Sequence, residues 1–193
     1  MSFSRRHLFE FNDAGWAPPV LRDTMVEALS RTLEWAHVLR GLVTPFESFL
    51  AASGAREVLD LASGAAGPAR ILATEILRAG RTPPRSVLTD LYPRIEAWEA
   101  ARAELPGVLD FELEPVDATR IPERLATDRA RVIINAFHHL PPDIARGVLE
   151  DAVLRRSPIF LAEAFERDPR GVIPIALPGL FAMLVTPLLT PRD

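Results

Sequence analysis

Three aspartates in this chain each close an apolar run. Asp60 ends Val58-Leu59-Asp60, Asp90 follows Ser86-Val87-Leu88-Thr89, and Asp117 follows the stretch from Phe111 to Val116. An ionised carboxylate only accepts hydrogen bonds, so acids in such places select for hydroxyl and amino donors. Two imidazoles, His138 and His139, stand in Asn135-Ala136-Phe137-His138-His139-Leu140, after the run Arg131-Val132-Ile133-Ile134. Histidine titrates near neutrality and suits removal of a proton from a nucleophile. The plainer reading is that one ring packs against its loop and the other faces solvent. Glu163 and Glu166 follow the last apolar run; they are candidates for substrate contact, against a default of solvated loop acids. No third ligand has a convincing spacing to the histidine pair, so no metal is expected.

The elements that must position these groups are legible from periodicity. Leu21, Met25, Leu29, Leu33 and Ala36 share one helical face within residues 19–50, with Pro45 dividing a long helix from a short one. After that, strand and helix alternate. Strands are predicted at 57–61, 86–89, 111–116, 131–136 and 159–164. Helices are predicted at 68–79, 93–104 and 141–155, each opening on a proline. The alternation implies an α/β, Rossmann-like, doubly wound and mainly parallel sheet with an N-terminal helical element. In such sheets ligands bind beyond the C-terminal strand ends, which is where the residues above fall. The expected organisation is a helical or lid element over 1–50 and the sheet domain over 51–193. Phe9, Phe11 and Trp16 are candidates for the lid, or for ordinary packing surface.

Composition removes several chemistries. The chain has 193 residues, no cysteine, and no lysine among its 22 basic residues. That excludes disulfides, thiolate metal sites, a cysteine nucleophile, a P-loop lysine and a Schiff-base lysine. A net charge of −4, scattered rather than blocked, argues against a nucleic-acid partner. No apolar signal core follows Arg5-Arg6, so a cytoplasmic location is expected. The segment 171–191 carries no charge and approaches the roughly 20 residues of a membrane span, but Pro174, Pro178 and Pro187 interrupt it. It is a candidate apolar partner surface or membrane contact.

Ala62-Ser63-Gly64-Ala65-Ala66-Gly67 has the spacing of a GxGxxG turn with the first glycine replaced. A nicotinamide dinucleotide would want close backbone approach to its pyrophosphate and an acid about 20 residues on. Asp90 lies 26 residues after Gly64, so this cofactor stays open. The missing lysine and the single tyrosine, Tyr92, exclude a Tyr/Lys oxidoreductase. S-adenosylmethionine has no phosphate, and its ribose diol and adenine amino group want acceptors where Asp90 and Asp117 stand.

Over residues 50–166 the chain resembles the class I S-adenosylmethionine-dependent methyltransferases. Val58-Leu59-Asp60-Leu61-Ala62-Ser63-Gly64 resembles that family's first motif, Thr89-Asp90-Leu91 its ribose site, and Val116-Asp117-Ala118 its adenine pair. The segment from Asn135 to Leu140 resembles the one after its fourth strand. The resemblance implies S-adenosylmethionine as cofactor, bound by Asp60, Ala62, Ser63, Gly64, Asp90, Leu91, Asp117, Ala118 and Asn135. It implies methyl transfer to an acceptor, most simply a small molecule, with His138 or His139 as base. No NPPY-like segment follows the fourth strand, so methylation of adenine N6 or of glutamine is not indicated. Two departures stand out. Ala62 and Ala66 replace glycines, which makes a left-handed backbone harder to reach. The residues after 164 leave no room for the family's sixth and seventh strands, so a trimmed or fragmentary domain is expected. A methyltransferase-like scaffold without turnover is the alternative.

Overall fold

In the first strand, β1 (Glu57–Leu61), Val58, Leu59 and Leu61 are each no more than 2 % exposed. Such a strand is covered on both faces, as the central strand of a parallel sheet is. The structure, a computed structural model, describes residues 38–163. Five strands pair in the order β3-β2-β1-β4-β5, and every pairing is parallel. The others are β2 (Arg85–Thr89), β3 (Leu109–Phe111), β4 (Arg129–Ile134) and β5 (Ile159–Ala162). The order reverses between β1 and β4, which makes their C-terminal ends the crevice of a doubly wound, Rossmann-like sheet.

Helices cover both faces. On one, α1 (Val43–Ser53) and α2 (Gly67–Arg78) meet Val58, Asp60, Val132 and Ile134 through Phe46, Ala69, Leu72 and Ile76. Phe46 meets Phe160 of β5 edge-on, and Phe49 packs on it at a tilt. Further along this face α3 (Ile95–Glu104) buries Trp98 and Ala101 against Leu88 and Leu109. On the other face Leu59, Leu61 and Ile133 pack with Leu125 of the short α4 (Glu123–Ala126) and Val148 of α5 (Pro142–Leu154). Side chains of this size contribute about 1.5–3 kcal/mol each when fully buried, so the two layers fix the strand ends firmly.

Several boundaries differ from the sequence expectation. Pro45 lies in the first turn of α1, where its missing N–H costs nothing, and a 3-10 turn over Val38–Leu42 precedes it. The third strand is Leu109–Phe111 and not 111–116: β3 is the sheet's edge, and Pro115 has no N–H to give a ladder. The fourth strand stops at Ile134 because Asn135 turns to φ +56. The fifth ends at Ala162. The helix expected over 93–104 starts at Ile95, and α4 was not expected. The loop between α2 and β2, residues 79–84, accounts for the long spacing from Gly64 to Asp90. The aromatic stretch at Phe9, Phe11 and Trp16, Glu166, and the uncharged segment 171–191 lie outside the described residues. Among those described, no helix is long and apolar enough to cross a membrane.

Candidate functional site

The turn after β1 is clasped from three sides. The Ser63 hydroxyl donates to the Asp60 carbonyl at 2.9 Å and accepts from the Thr89 N–H at 3.1 Å. Thr89 Oγ1 donates to the same carbonyl at 2.8 Å, and the Ser63 N–H donates to the Thr89 carbonyl at 3.0 Å. Ser63 and Thr89 are both buried, so these bonds act without competition from water. At the crest, the Gly64 N–H donates to Asp90 Oδ2 at 2.9 Å, and the Trp98 indole N–H donates to the Gly64 carbonyl at 2.8 Å. A buried indole needs an acceptor, and this one is the loop itself. Trp98 escaped the sequence reading, and Thr89 entered it only as part of Thr89-Asp90-Leu91. The hint was a lone aromatic in a helix otherwise rich in Ala and Glu.

Ala62 and Ala66 adopt φ of +55 and +66, and Gly64 adopts +52. The left-handed conformation costs an alanine roughly 1–2 kcal/mol, so here the surrounding bonds impose the turn. A Cβ built on Gly64 would meet nothing within 4 Å, so the crest faces open space.

Asp90 is half-buried just past β2. Its other oxygen, Oδ1, accepts the Tyr92 N–H at 2.9 Å, while Leu91 is exposed beside it. Each carboxylate oxygen has two acceptor positions, so Asp90 organises the loop and keeps capacity for a ligand. Asp117 lies six residues past the end of β3, yet the Val116 N–H donates to the Asp90 carbonyl at 2.8 Å and draws it to the same rim. Its Oδ1 accepts both the Thr119 N–H at 2.8 Å and the Thr119 hydroxyl at 2.7 Å. That is the Asx turn of its plainer reading, made with one oxygen. Gly147 of α5 sets the height of this loop: a Cβ there would stand 3.1 and 3.2 Å from Thr119 carbons. Ala118, beside Asp117, packs on the core shared with α5.

Asp60 is 5 % exposed. Burial pushes its carboxyl up to about 7, and the charge of Asp90 adds to this.

Across the crevice, Asn135 is left-handed at the end of β4, and its buried Oδ1 has no hydrogen-bond partner among the described residues. It is an acceptor placed for a donor. Phe137–His139 form a 3-10 turn. Glu163, just past β5, accepts the His138 N–H at 3.1 Å and stands 2.6 Å from His138 Nδ1. The carboxylate thereby fixes the orientation of the His138 ring. The His139 ring lies 4.1 Å from that of His138, centroid to centroid. The Glu163–His138 pair joins residues 25 apart and has no local signature. Among the described residues no three His, Asp or Glu side chains group as a metal site.

A cavity of 760 Å³ opens at the opposite, N-terminal end of the strands, near Arg56, Arg129, Arg156 and Ser157. Arg129 there is tied to Glu57 at 3.0 Å. The strand-end chemistry is not in this cavity.

No protein-family model matches the chain, and no curated protein matches its sequence. Among the partial likenesses to solved structures are three from Burkholderia thailandensis. An uncharacterized ACR superfamily protein is 22 % identical, with a TM-score of 0.41 over 58 % of this chain and 29 % of its own. A member of the same superfamily bound to S-adenosyl-homocysteine is 19 % identical, with a TM-score of 0.40 over 59 % and 27 %. An O-methyltransferase family protein is 20 % identical, with a TM-score of 0.40 over 64 % and 38 %. The chain thus spans well under half the length of each. What it does must be argued from its own crevice.

Proposed function

We propose that this chain binds S-adenosylmethionine in the crevice between β1 and β4, as a class I methyltransferase, and methylates a small-molecule acceptor. The observation that carries this reading is the state of the loop after β1. A dinucleotide's pyrophosphate is held by free backbone N–H groups at such a turn. Here the Ser63, Gly64 and Ala66 N–H groups already bond to Thr89, Asp90 and Ser63. Two carboxylates, Asp60 and Asp90, stand close enough for the charge of one to act on the other. That setting repels a pyrophosphate and favours a cationic ligand without phosphate. The residues present fit such a ligand. Asp90 and Asp117 offer carboxylate oxygens on one rim for hydroxyl and amino donors, and Asn135 Oδ1 offers a buried acceptor across the crevice. Ala62, Ala65 and Ala66 keep the turn narrow.

When bound, S-adenosylmethionine supplies an activated methyl group. The protein's tasks are to align the acceptor, exclude water and take up a proton where the acceptor holds one. Glu163 holds the His138 ring through Nδ1, and His138 is the candidate to receive that proton. This arrangement suits a hydroxyl or other protonated nucleophile.

Isothermal titration calorimetry with S-adenosylmethionine and S-adenosylhomocysteine tests the reading. Micromolar binding is expected, with a loss of about 100-fold or more in Asp90→Ala, which removes both the ligand acceptor and the Gly64 clasp. Folded protein that binds neither compound, or that responds to NAD instead, would sink it.

A further inference from the structure

Gly64 is the least constrained residue of the loop after β1. It has no Cβ, it adopts φ +52, and a Cβ built there would meet nothing within 4 Å. Glycine ranges over both halves of the backbone map, so side-chain packing does not hold this conformation. The Ala66 N–H donates to the Ser63 carbonyl at 2.8 Å and closes a four-residue turn around Gly64 and Ala65. Turns of different types share that closing bond and differ in the direction of their central peptide. The closing bond therefore gives the Gly64 carbonyl no fixed direction. The Trp98 indole N–H gives it one, at 2.8 Å. Asp90 Oδ2 accepts the Gly64 N–H at 2.9 Å and fixes the peptide plane on the other side of the same Cα. One plane sets φ and the other sets ψ, so Asp90 and Trp98 together hold the crest.

The two supports differ in kind. Asp90 is half-buried and is itself a ligand acceptor of the proposed site. Trp98 is 0 % exposed, so it acts on a ligand only through the loop. Its ring shares a buried cluster with Leu88 of β2, Leu109 of β3 and Ala66, the left-handed residue that ends the turn. The Phe111 ring lies 5.9 Å away, centroid to centroid, and the Arg102 guanidinium sits 4.6 Å over that second ring. A ring enclosed in this way has no room to turn, which makes its N–H a fixed point. The indole nitrogen is also a donor only, so it cannot exchange roles with the carbonyl it holds.

We infer that Trp98 is a positioning residue for the crevice: its indole N–H, working through Gly64, holds the crest of the loop beside Asp90 in the arrangement that receives the ligand. The ligand in this role rests on the S-adenosylmethionine reading, whereas the hold on the loop does not.

Trp98→Phe is the test, because it keeps an aromatic ring beside Phe111 and removes the N–H. Ala101→Gly is the control. Ala101 belongs to the same helix and the same buried cluster, and its loss weakens α3 without removing the bond. Amide hydrogen exchange is read on the empty proteins, and affinity for S-adenosylmethionine is read by calorimetry. In Trp98→Phe the Gly64 N–H should exchange about tenfold faster relative to the β1 amides, because one of its loop's two tethers is gone. The dissociation constant should rise about three- to tenfold, the effect of one hydrogen bond. In Ala101→Gly the exchange ratio and the affinity should both stay near their wild-type values. An unchanged ratio or an unchanged affinity in Trp98→Phe overturns the inference. An equal loss of affinity in both variants also overturns it, by making Trp98 one more core residue. Should Trp98→Phe fail to fold, the wild-type indole N–H decides by NMR, assigned through Trp16→Phe and Trp35→Phe. Slow exchange with solvent and a shift at saturating S-adenosylmethionine uphold the role, and free exchange or an unmoved signal overturns it. If the wild type binds no S-adenosylmethionine, the cofactor reading falls alone, and the exchange ratio of Gly64 still decides the hold on the loop.

Discussion

Glu57 and Asp60 lie three residues apart on the same strand and meet opposite treatment. At the N-terminal end of β1, Glu57 sits between Arg85 and Arg129, 3.0 Å from each. Burial alone would push its carboxyl up, but the hydrogen bonds from both guanidinium groups outweigh this and hold it below the usual range. At the C-terminal end, Asp60 is more deeply buried, has no such partner among the described residues and rises to about 7. Arg85 also ties Asp110, so the lower rim is a laced network joining β1, β2, β3 and β4. The upper rim is made of backbone donors, acceptors and unneutralised acids. One end of the sheet is built for cohesion. The other retains unfavourable charge that a ligand can relieve, and binding sites characteristically do this.

The sharpest way to break this contrast is Asp60→Asn. Asp60 has a folded pKa above its unfolded value, so its stabilising protonation is complete in acid and lost as pH rises through about 7. Near pH 8 the variant should be more stable than wild type by roughly 2–4 kcal/mol in urea denaturation of the empty protein, and the two should converge below about pH 4. Equal stability at all pH values would show that Asp60 finds a compensating partner. Next in size is Gly147→Ala. Its new methyl group meets Thr119, so a loss of about 1–3 kcal/mol is expected, with weaker S-adenosylmethionine binding as the Asp117 loop shifts. Full retention of both would mean that the loop's height does not depend on α5. Ala62→Gly should then stabilise by about 0.5–1 kcal/mol, because glycine adopts φ +55 without strain. Ala66→Gly should be near neutral, since it relieves similar strain but removes a fully buried methyl group worth about 0.8 kcal/mol. Thermal melts of the pair separate the two effects. Glu57→Gln also belongs among the small changes. Because Glu57 is held below its ordinary value, its contribution is present near neutrality and lost in acid. The variant should cost no more than about 1 kcal/mol near pH 7, and less as the pH falls through the carboxylate range.

What the sequence revealed follows from how local each signal is. The strand-turn-helix around Asp60 was legible because an apolar run, an acid, small residues and Pro68 occur in immediate succession. The parallel order followed from alternation alone. Asp90 was legible as a strand-end acid, but its bond to Gly64 N–H spans 26 residues and its loop-holding role was not. The third strand was read too long because Phe111 to Val116 has enough apolar residues for a ladder. An edge position and Pro115 outweigh that pattern. Asn135 gave no warning of its left-handed backbone. His138 was selected for its chemistry, whereas Glu163, which orients it, was read by default as a solvated acid. The clasp of Ser63, Thr89 and Trp98 depends on tertiary contacts that no periodicity encodes.

The bond from Trp98 to Gly64 gives the protein a built-in optical gauge. The chain has three tryptophans, and this one is wholly enclosed with its indole N–H tied to the crest of the loop. Excited indole is sensitive to the field and hydrogen bonding around that nitrogen. A ligand that tightens or lifts the crest will therefore write its arrival into the emission colour of a residue it never touches.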